Sequence, residues 1–191
     1  MKDQDCYGYG IWAGASMYLS ESNVRTRAAI LGPTQLSEAR AGLAKTASQH
    51  RTVFLSHSHD DKALVEPVRK LLAAQGVILY VDWKDPEIPA ITNPATARKI
   101  KQRISAAGKF VMLASNTSLR SRWVPWELGV GDIEKGLPKV AAFPVTPDYG
   151  TWDGSEYVGI YSCVEEATNG ELAVFEPGQN KGISFKDWLE R

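Results

Sequence analysis

From Thr52 onward, short unbroken apolar runs alternate with amphipathic stretches, and that alternation sets the fold class. TVFLS at 52–56 is an apolar run bounded by polar residues. The following DDKALVEPVRKLLAAQG places Leu64, Val68, Leu71 and Leu72 on one face at helical spacing and stops at Gly76. VILYVD at 77–82 is a second run of the same kind. After the proline-interrupted loop WKDPEIPAITNP, ATARKIKQRISAAG sets Ala97, Ile100, Ile104 and Ala107 on one face and again ends at a glycine. KFVMLAS is the third strand, RWVPWELGVGDIEKG a helix, and KVAAFPV the fourth strand. A strand buried on both faces reads as a continuous apolar run rather than as an alternation. The pattern therefore predicts an α/β fold in which helices cover both sides of a mostly parallel sheet. In such a sheet, ligands bind outside the carboxyl ends of the strands. The loops there are SHSHDD, DWKDPEIPAITNP and SNTSLRSRW.

The two ends of the chain have a different texture. In residues 1–50, GIWAGASMYLS reads as a strand. TQLSEARAGLAKTASQH reads as a helix with Leu36, Ala39, Leu43 and Ala47 at spacings of three and four. Gly32-Pro33 punctuates between them and Thr34 is the candidate N-cap. Residues 1–50 are expected to form an extension that packs on or precedes the main domain, with 51–191 as that domain. Beyond Pro147, YVGIYSCV predicts a fifth strand, VEEATNGELAVFEPGQNKG is rich in turn signals, and SFKDWLER predicts a short terminal helix capped by Ser184.

Composition narrows the setting. With 191 residues, 43% of them hydrophobic and 23% charged, the chain suits one soluble domain plus an appendage. No apolar run reaches the ~20 residues of a membrane span. Lys+Arg 22 against Asp+Glu 22 leaves no basic field for nucleic acid or an anionic bilayer, so neither partner is expected. The N-terminus lacks the pattern of a targeting peptide, and Cys6 and Cys163 lie far apart with no C-x-x-C pair. A reducing, cytoplasmic setting follows.

One stretch invites a metal. SHSHDDK puts His57, His59 and Asp61 at alternate positions after a strand, which resembles the first ligand cluster of metallo-β-lactamase-type hydrolases. Two metal ions need further histidines from later loops. The only histidines are His50, His57 and His59, and Lys62 stands where another ligand would be wanted. No metal is expected. Instead, Ser58 and Asp60 are expected to cap a helix beginning near Asp61, whose acidic first turn suits its dipole.

Taken together, TVFLSHSHDDKALVEPVRKLLAAQGVILYVDWKD resembles the opening of a Toll/interleukin receptor (TIR) domain, and KFVMLASNTSLRSRWVPWELG is similar to that family's third strand, serine-rich exit and following helix. The resemblance covers about residues 50–150 and implies a flavodoxin-like three-layer sandwich around a mostly parallel five-stranded sheet. Within it, Trp123-Val124-Pro125-Trp126-Glu127 has the W-x-x-x-E spacing at whose glutamate the enzymatic members cleave NAD+. The resemblance thus implies Glu127 as the catalytic carboxylate and Trp123 as a wall of the pocket. Ser56 and His57 would line the cleft from the first strand's end, Ser115 from the third strand's exit, and Asp82 and Trp83 from the loop after the second. Trp126, one residue from Glu127 on a helix, points to packing. Arg120 and Arg122 stand open between pyrophosphate contact and solvation.

A site with a single carboxylate is chemically sufficient for this bond. An ordinary glycoside needs one carboxyl group to protonate the leaving oxygen and a second to attack or activate water. Nicotinamide in NAD+ is already cationic and leaves neutral, so the enzyme's task is to stabilise positive charge developing on the ribose. With no G-x-G-x-x-G fingerprint, NAD+ is expected as a substrate and not as a bound cofactor. By resemblance to stand-alone bacterial TIR proteins of antiphage systems such as Thoeris, the product would be nicotinamide with linear, cyclic or otherwise modified ADP-ribose. A separate effector would sense that product, and the chain would form a homo-oligomer with other TIR subunits on activation. Two alternatives stay open: a non-catalytic TIR–TIR scaffold, and a nucleoside deoxyribosyltransferase-like enzyme.

Overall fold

The computed structural model describes residues 18–32, 51–80 and 93–191. In chain order the elements are β1 (Leu19–Ser20), α1 (Glu21–Ile30), β2 (Thr52–Ser56), α2 (Lys62–Ala73), β3 (Ile78–Tyr80), α3 (Pro94–Ala106), β4 (Lys109–Ala114), α4 (Asn116–Leu119), α5 (Val124–Lys135), β5 (Val140–Thr146), β6 (Ser162–Glu166), β7 (Leu172–Phe175), β8 (Gly182–Ser184) and α6 (Phe185–Glu190). They form one sheet in the order β3-β2-β4-β5-β6-β7-β8, with β1 pairing β5. The first five strands of that order run parallel, and β7 and β8 are antiparallel additions.

The continuous apolar runs are explained by alternation between two buried faces. Val53, Leu55, Val111, Leu113 and Phe143 turn to the side covered by α1, α2 and α6. Phe54, Phe110, Met112 and Ala142 turn to the side covered by α3 and α5. Two cores on one sheet make the three-layer sandwich that the TIR resemblance implies. Helix α2 follows the predicted face, with Leu64, Val68, Leu71 and Leu72 buried, and the chain turns at Gly76 with φ +81. At that φ a side chain would be strained, so the glycine stop is a conformational requirement. Helix α3 starts at Asn93, whose side chain accepts from Ala95 and Thr96 backbone N–H groups in a capping box, and it buries Ile100 and Ile104.

The ends differ from the sequence pattern in detail. The stretch ESNVRTRAAI, assigned to no element by its pattern, forms α1 with only Val24 and Ala28 buried. Of the N-terminal strand read over 10–20, residues 10–17 lie outside the described residues, and Leu19–Ser20 is strand, pairing Val145 and Thr146 at the end of β5. The helix read over 34–50 lies outside the described residues. The fifth strand begins later than the apolar run, at Ser162, because Glu156–Ile160 first makes a 3-10 helix. The turn-rich tail holds β7 and β8, and Ser184 caps α6 by accepting from Asp187 N–H. Among the described residues, no helix is long and apolar enough to cross a membrane.

Candidate functional site at the carboxyl ends of β2 and β4

Glu127 sits in the first turn of α5, where its N–H bonds Trp123 C=O at 2.8 Å. Pro125 is tolerated in that turn because its missing N–H has no helical partner there. Val124 and Leu128 anchor the helix in the core, and Gly131 lets it approach β4 closely. A Cβ at Gly131 would stand 2.7 Å from the Phe110 ring. The helix is thereby pressed onto the sheet, and Glu127 is only 3% exposed. Its carboxylate meets the last residue of β2: the Ser56 hydroxyl donates to Glu127 Oε2 at 2.5 Å. Two residues 71 apart in sequence are joined by the parallel sheet and the crossover helix.

Around this pair the SHSHDD loop folds inward. His57 is buried and its Nδ1 lies 2.9 Å from Leu55 C=O. A carbonyl can only accept, so His57 Nδ1 is the donor of this bond. Ser58 N–H donates to Ser118 Oγ at 2.9 Å, and Ser58 Oγ caps a 3-10 turn by accepting from Asp60 N–H at 3.3 Å. Ser58 thus caps the 3-10 turn and not α2, whose N-cap position is Asp61 in place of the expected Ser58 and Asp60, because the 3-10 turn intervenes before the helix. Asp60 is exposed, and the next residue, Asp61, is the buried one. Its Oδ2 accepts both Ser115 Oγ and Ser118 Oγ, each at 2.6 Å. Ser115 also accepts Ser118 N–H at 2.9 Å as the cap of α4, so the structure places its hydroxyl in this network.

The aromatic side of the site is Trp123, half-buried and edge-on to Trp126 with ring centroids 5.1 Å apart. Trp126 packs against the core beside it, with Lys101 Nζ 5.8 Å from its ring. Arg122 is exposed, and Arg120 pairs with Asp153 on the surface. That pair belongs to a clamp from the β5–β6 loop. Trp152 Nε1 donates to Ala114 C=O at 2.8 Å, Asn116 Nδ2 to Thr151 C=O at 2.8 Å, and Asp153 N–H to Asn116 Oδ1 at 2.8 Å. Ser118 and Trp152 are site-forming residues that sequence spacing does not single out, and Asp61, which spacing marks as a metal-type position and a helix start, instead serves partners from a distant loop. Asp82 and Trp83 lie outside the described residues. Among the described residues, no group of three His, Cys, Asp or Glu side chains is arranged to hold a metal, and His59 is exposed.

A family model described as TIR domain matches residues 53–159, more than half of the chain. The chain belongs to the TIR domain family. The matched span of this TIR domain runs from β2 to the 3-10 turn before β6 and holds Ser56, Asp61, Ser115, Trp123, Glu127 and Trp152. The chain is 29% identical over 147 residues to the "Probable 3' cyclic ADP-D-ribose synthase ThsB'" of Bacillus cereus (strain MSX-D12), covering 73% of this chain and 75% of that protein. It is also 29% identical over 79 residues to the "Putative cyclic ADP-D-ribose synthase TIR2" of Cytobacillus dafuensis, covering 40% of this chain and 21% of that one.

Proposed function

We propose that this TIR domain breaks the nicotinamide–ribose bond of NAD+ and closes the remaining ADP-ribose into a cyclic product, with Glu127 as the catalytic carboxylate. The observation that carries the proposal is the buried Glu127 at the carboxyl ends of the parallel strands, oriented by Ser56 at the W-x-x-x-E spacing. The names of the two relatives, each of which carries the words cyclic ADP-D-ribose synthase, support the same reading.

The bond breaks heterolytically. Its electron pair leaves with nicotinamide, which becomes neutral, and positive charge spreads over C1′ and the ring oxygen of the ribose. A carboxylate fixed against the ribose hydroxyls stabilises that charge without reorganising as it forms. The Ser56 hydroxyl holds one oxygen of Glu127 in place, and the Trp123–Trp126 pair offers an apolar face that keeps water back. Capture of C1′ by a nucleophilic atom of the same molecule gives the cyclic product. Capture by water gives linear ADP-ribose, and either route ends with loss of one proton from the attacking group. Hydrolysis is then the minor channel of the same intermediate. Ser115 serves as a wall of the cleft through its network, while Asp82 and Trp83 keep the substrate-contacting roles the resemblance implies. The chain would act in antiphage defence as a homo-oligomer, with a separate effector sensing the product.

Incubating the protein and a Glu127→Ala variant with NAD+, with nicotinamide release followed by chromatography and products identified by mass, tests this. The expected result is cyclic ADP-ribose from the wild type and release lowered roughly a hundredfold or more in the variant. Equal release from both removes Glu127 from the mechanism. No release from the wild type, even when concentrated, favours a scaffold.

A further inference from the structure

Resting on that reading of Glu127, we propose that Asp61 is a positioning residue for the reaction: a buried carboxylate that ties the loops leaving β2 and β4 into one unit and so sets how Ser56 holds Glu127. Strands β2 and β4 are paired as far as Ser56 and Met112. Strand β5 carries β4 two residues further, to Ala114; beyond Ser56 on β2 and Ala114 on β4 the sheet no longer dictates where the two loops go. Asp61 Oδ2 takes two serine hydroxyls from the β4 side, Ser115 and Ser118, each at 2.6 Å. Ser118 Oγ then takes Ser58 N–H, two residues past Ser56, at 2.9 Å. The connection therefore runs from one loop to the other through buried groups, since Ser58, Asp61, Ser115 and Ser118 are each at most 7% exposed.

The position of Asp61 shows what its carboxylate is used for. It occupies the N-cap position of α2, where aspartate ordinarily accepts an N–H from the helix's first turn, yet it makes no such bond. The carboxylate is directed instead to partners 54 and 57 residues away. Hydroxyl donors to a carboxylate make short, directional bonds, so the two 2.6 Å contacts fix the loops relative to each other. A catalytic group displaced by about 1 Å can lose roughly a hundredfold in rate, so a residue that fixes the loop next to Ser56 controls turnover without touching substrate.

Three variants test it: Asp61→Ala, Asp61→Asn and Ser118→Ala, each measured for kcat and KM with NAD+ and for amide hydrogen exchange over residues 56–58 and 115–119. Asp61→Ala is expected to lower kcat about ten- to a hundredfold with little change in KM and to speed exchange in both loops. Asp61→Asn keeps one carbonyl acceptor and is expected to recover part of the loss. Folded Asp61→Ala protein with wild-type kcat and KM overturns the proposal, as does an Asn variant no better than Ala. Should Asp61→Ala fail to fold, Ser118→Ala decides: lowered kcat with faster exchange at 56–58 supports the proposal, and unchanged values overturn it. Wild type that releases no nicotinamide defeats the NAD+ reading alone. In that case faster exchange of both loops in the variants upholds the tie through Asp61, and unchanged exchange overturns it.

Discussion

The two ends of the β4 region treat buried charge in opposite ways. At its carboxyl end, Glu127 and Asp61 are buried carboxylates, and hydroxyl groups of Ser56, Ser115 and Ser118 point at them. At its amino end, Lys109 is 1% exposed and, among the described residues, its Nζ has no hydrogen-bond partner and lies over the face of Trp188 with the ring centroid 4.9 Å away. Burial pushes the Lys109 ammonium down to about 8, and the positive charges of Lys139 and Arg191 push the same way. A buried charge supplied with donors is a fixed electrostatic instrument. One supplied with a ring and two like charges is a stability cost. The contrast teaches that the sheet's carboxyl end is organised for chemistry, while its amino end tolerates a penalty that the surrounding core offsets.

The largest effect should come from removing the charge at the organised end. Glu127→Ala is expected to cut nicotinamide release by roughly a hundredfold or more, about 3 kcal/mol of transition-state stabilisation, while thermal unfolding shifts little. A variant that unfolds before it loses activity would make Glu127 a structural group and erase the contrast. The next effect concerns how Glu127 is delivered. Gly131→Ala places a methyl 2.7 Å from the ring of Phe110, itself fully buried, so neither side can yield cheaply. A destabilisation of about 1–3 kcal/mol by denaturant titration is expected, with lowered activity as α5 is pushed away from Ser56.

At the other end the sign reverses. Lys109→Met is expected to stabilise the protein by about 1–3 kcal/mol at neutral pH, because the desolvation cost of the ammonium exceeds the ~0.5–2 kcal/mol of its contact with Trp188. The pH dependence follows. The folded pKa of about 8 lies below the ordinary 10.5, so between these values the unfolded chain binds more protons. Stability contributed through this group therefore rises as pH increases from about 8 toward 10.5. Denaturation midpoints across that window should show the rise in the wild type and lack it in Lys109→Met. Unchanged slopes would mean that Lys109 finds compensation in the folded state.

How much of this was legible in the sequence follows the same division. The parallel core strands, α2, α3, α5 and the glycine stops were visible because burial on both faces and helical spacing are local signals. Glu127 was marked by the TIR resemblance, which sets the W-x-x-x-E string behind the third strand. Helix α1 was not, since ten residues with only Val24 and Ala28 inward carry almost no periodic signal. Strands β7 and β8 are four and three residues long and sit among turn residues, so they exist by pairing with β6 and with each other. Asp61 looked like part of an acidic helix start, because its partners come from the far side of the sequence. Nothing in the pattern of KFVMLAS marked Lys109 as buried. It is buried because β4 is central and Trp188, whose Nε1 is fixed on Pro138 C=O, closes over that end.

The smallest effect sharpens the boundary of the organised end. Arg120 was open between contact with the pyrophosphate and simple solvation. The structure pairs it with Asp153 on the surface, at the clamp where the β5–β6 loop meets α4. An exposed pair of this kind contributes about 0–1 kcal/mol, and the Asn116 and Trp152 bonds hold the loop without it. Arg120→Ala should therefore leave stability within about 0.5 kcal/mol and kcat unchanged. The informative quantity is KM for NAD+. If Arg120 only tethers the loop, KM stays at the wild-type value at low and high salt alike. If its guanidinium swings from Asp153 to the pyrophosphate, KM rises several-fold in the variant, and the rise shrinks with added salt as screening weakens the same contact in the wild type. That outcome would extend the organised end outward from buried carboxylates held by serines to an exposed cation shared between loop and substrate.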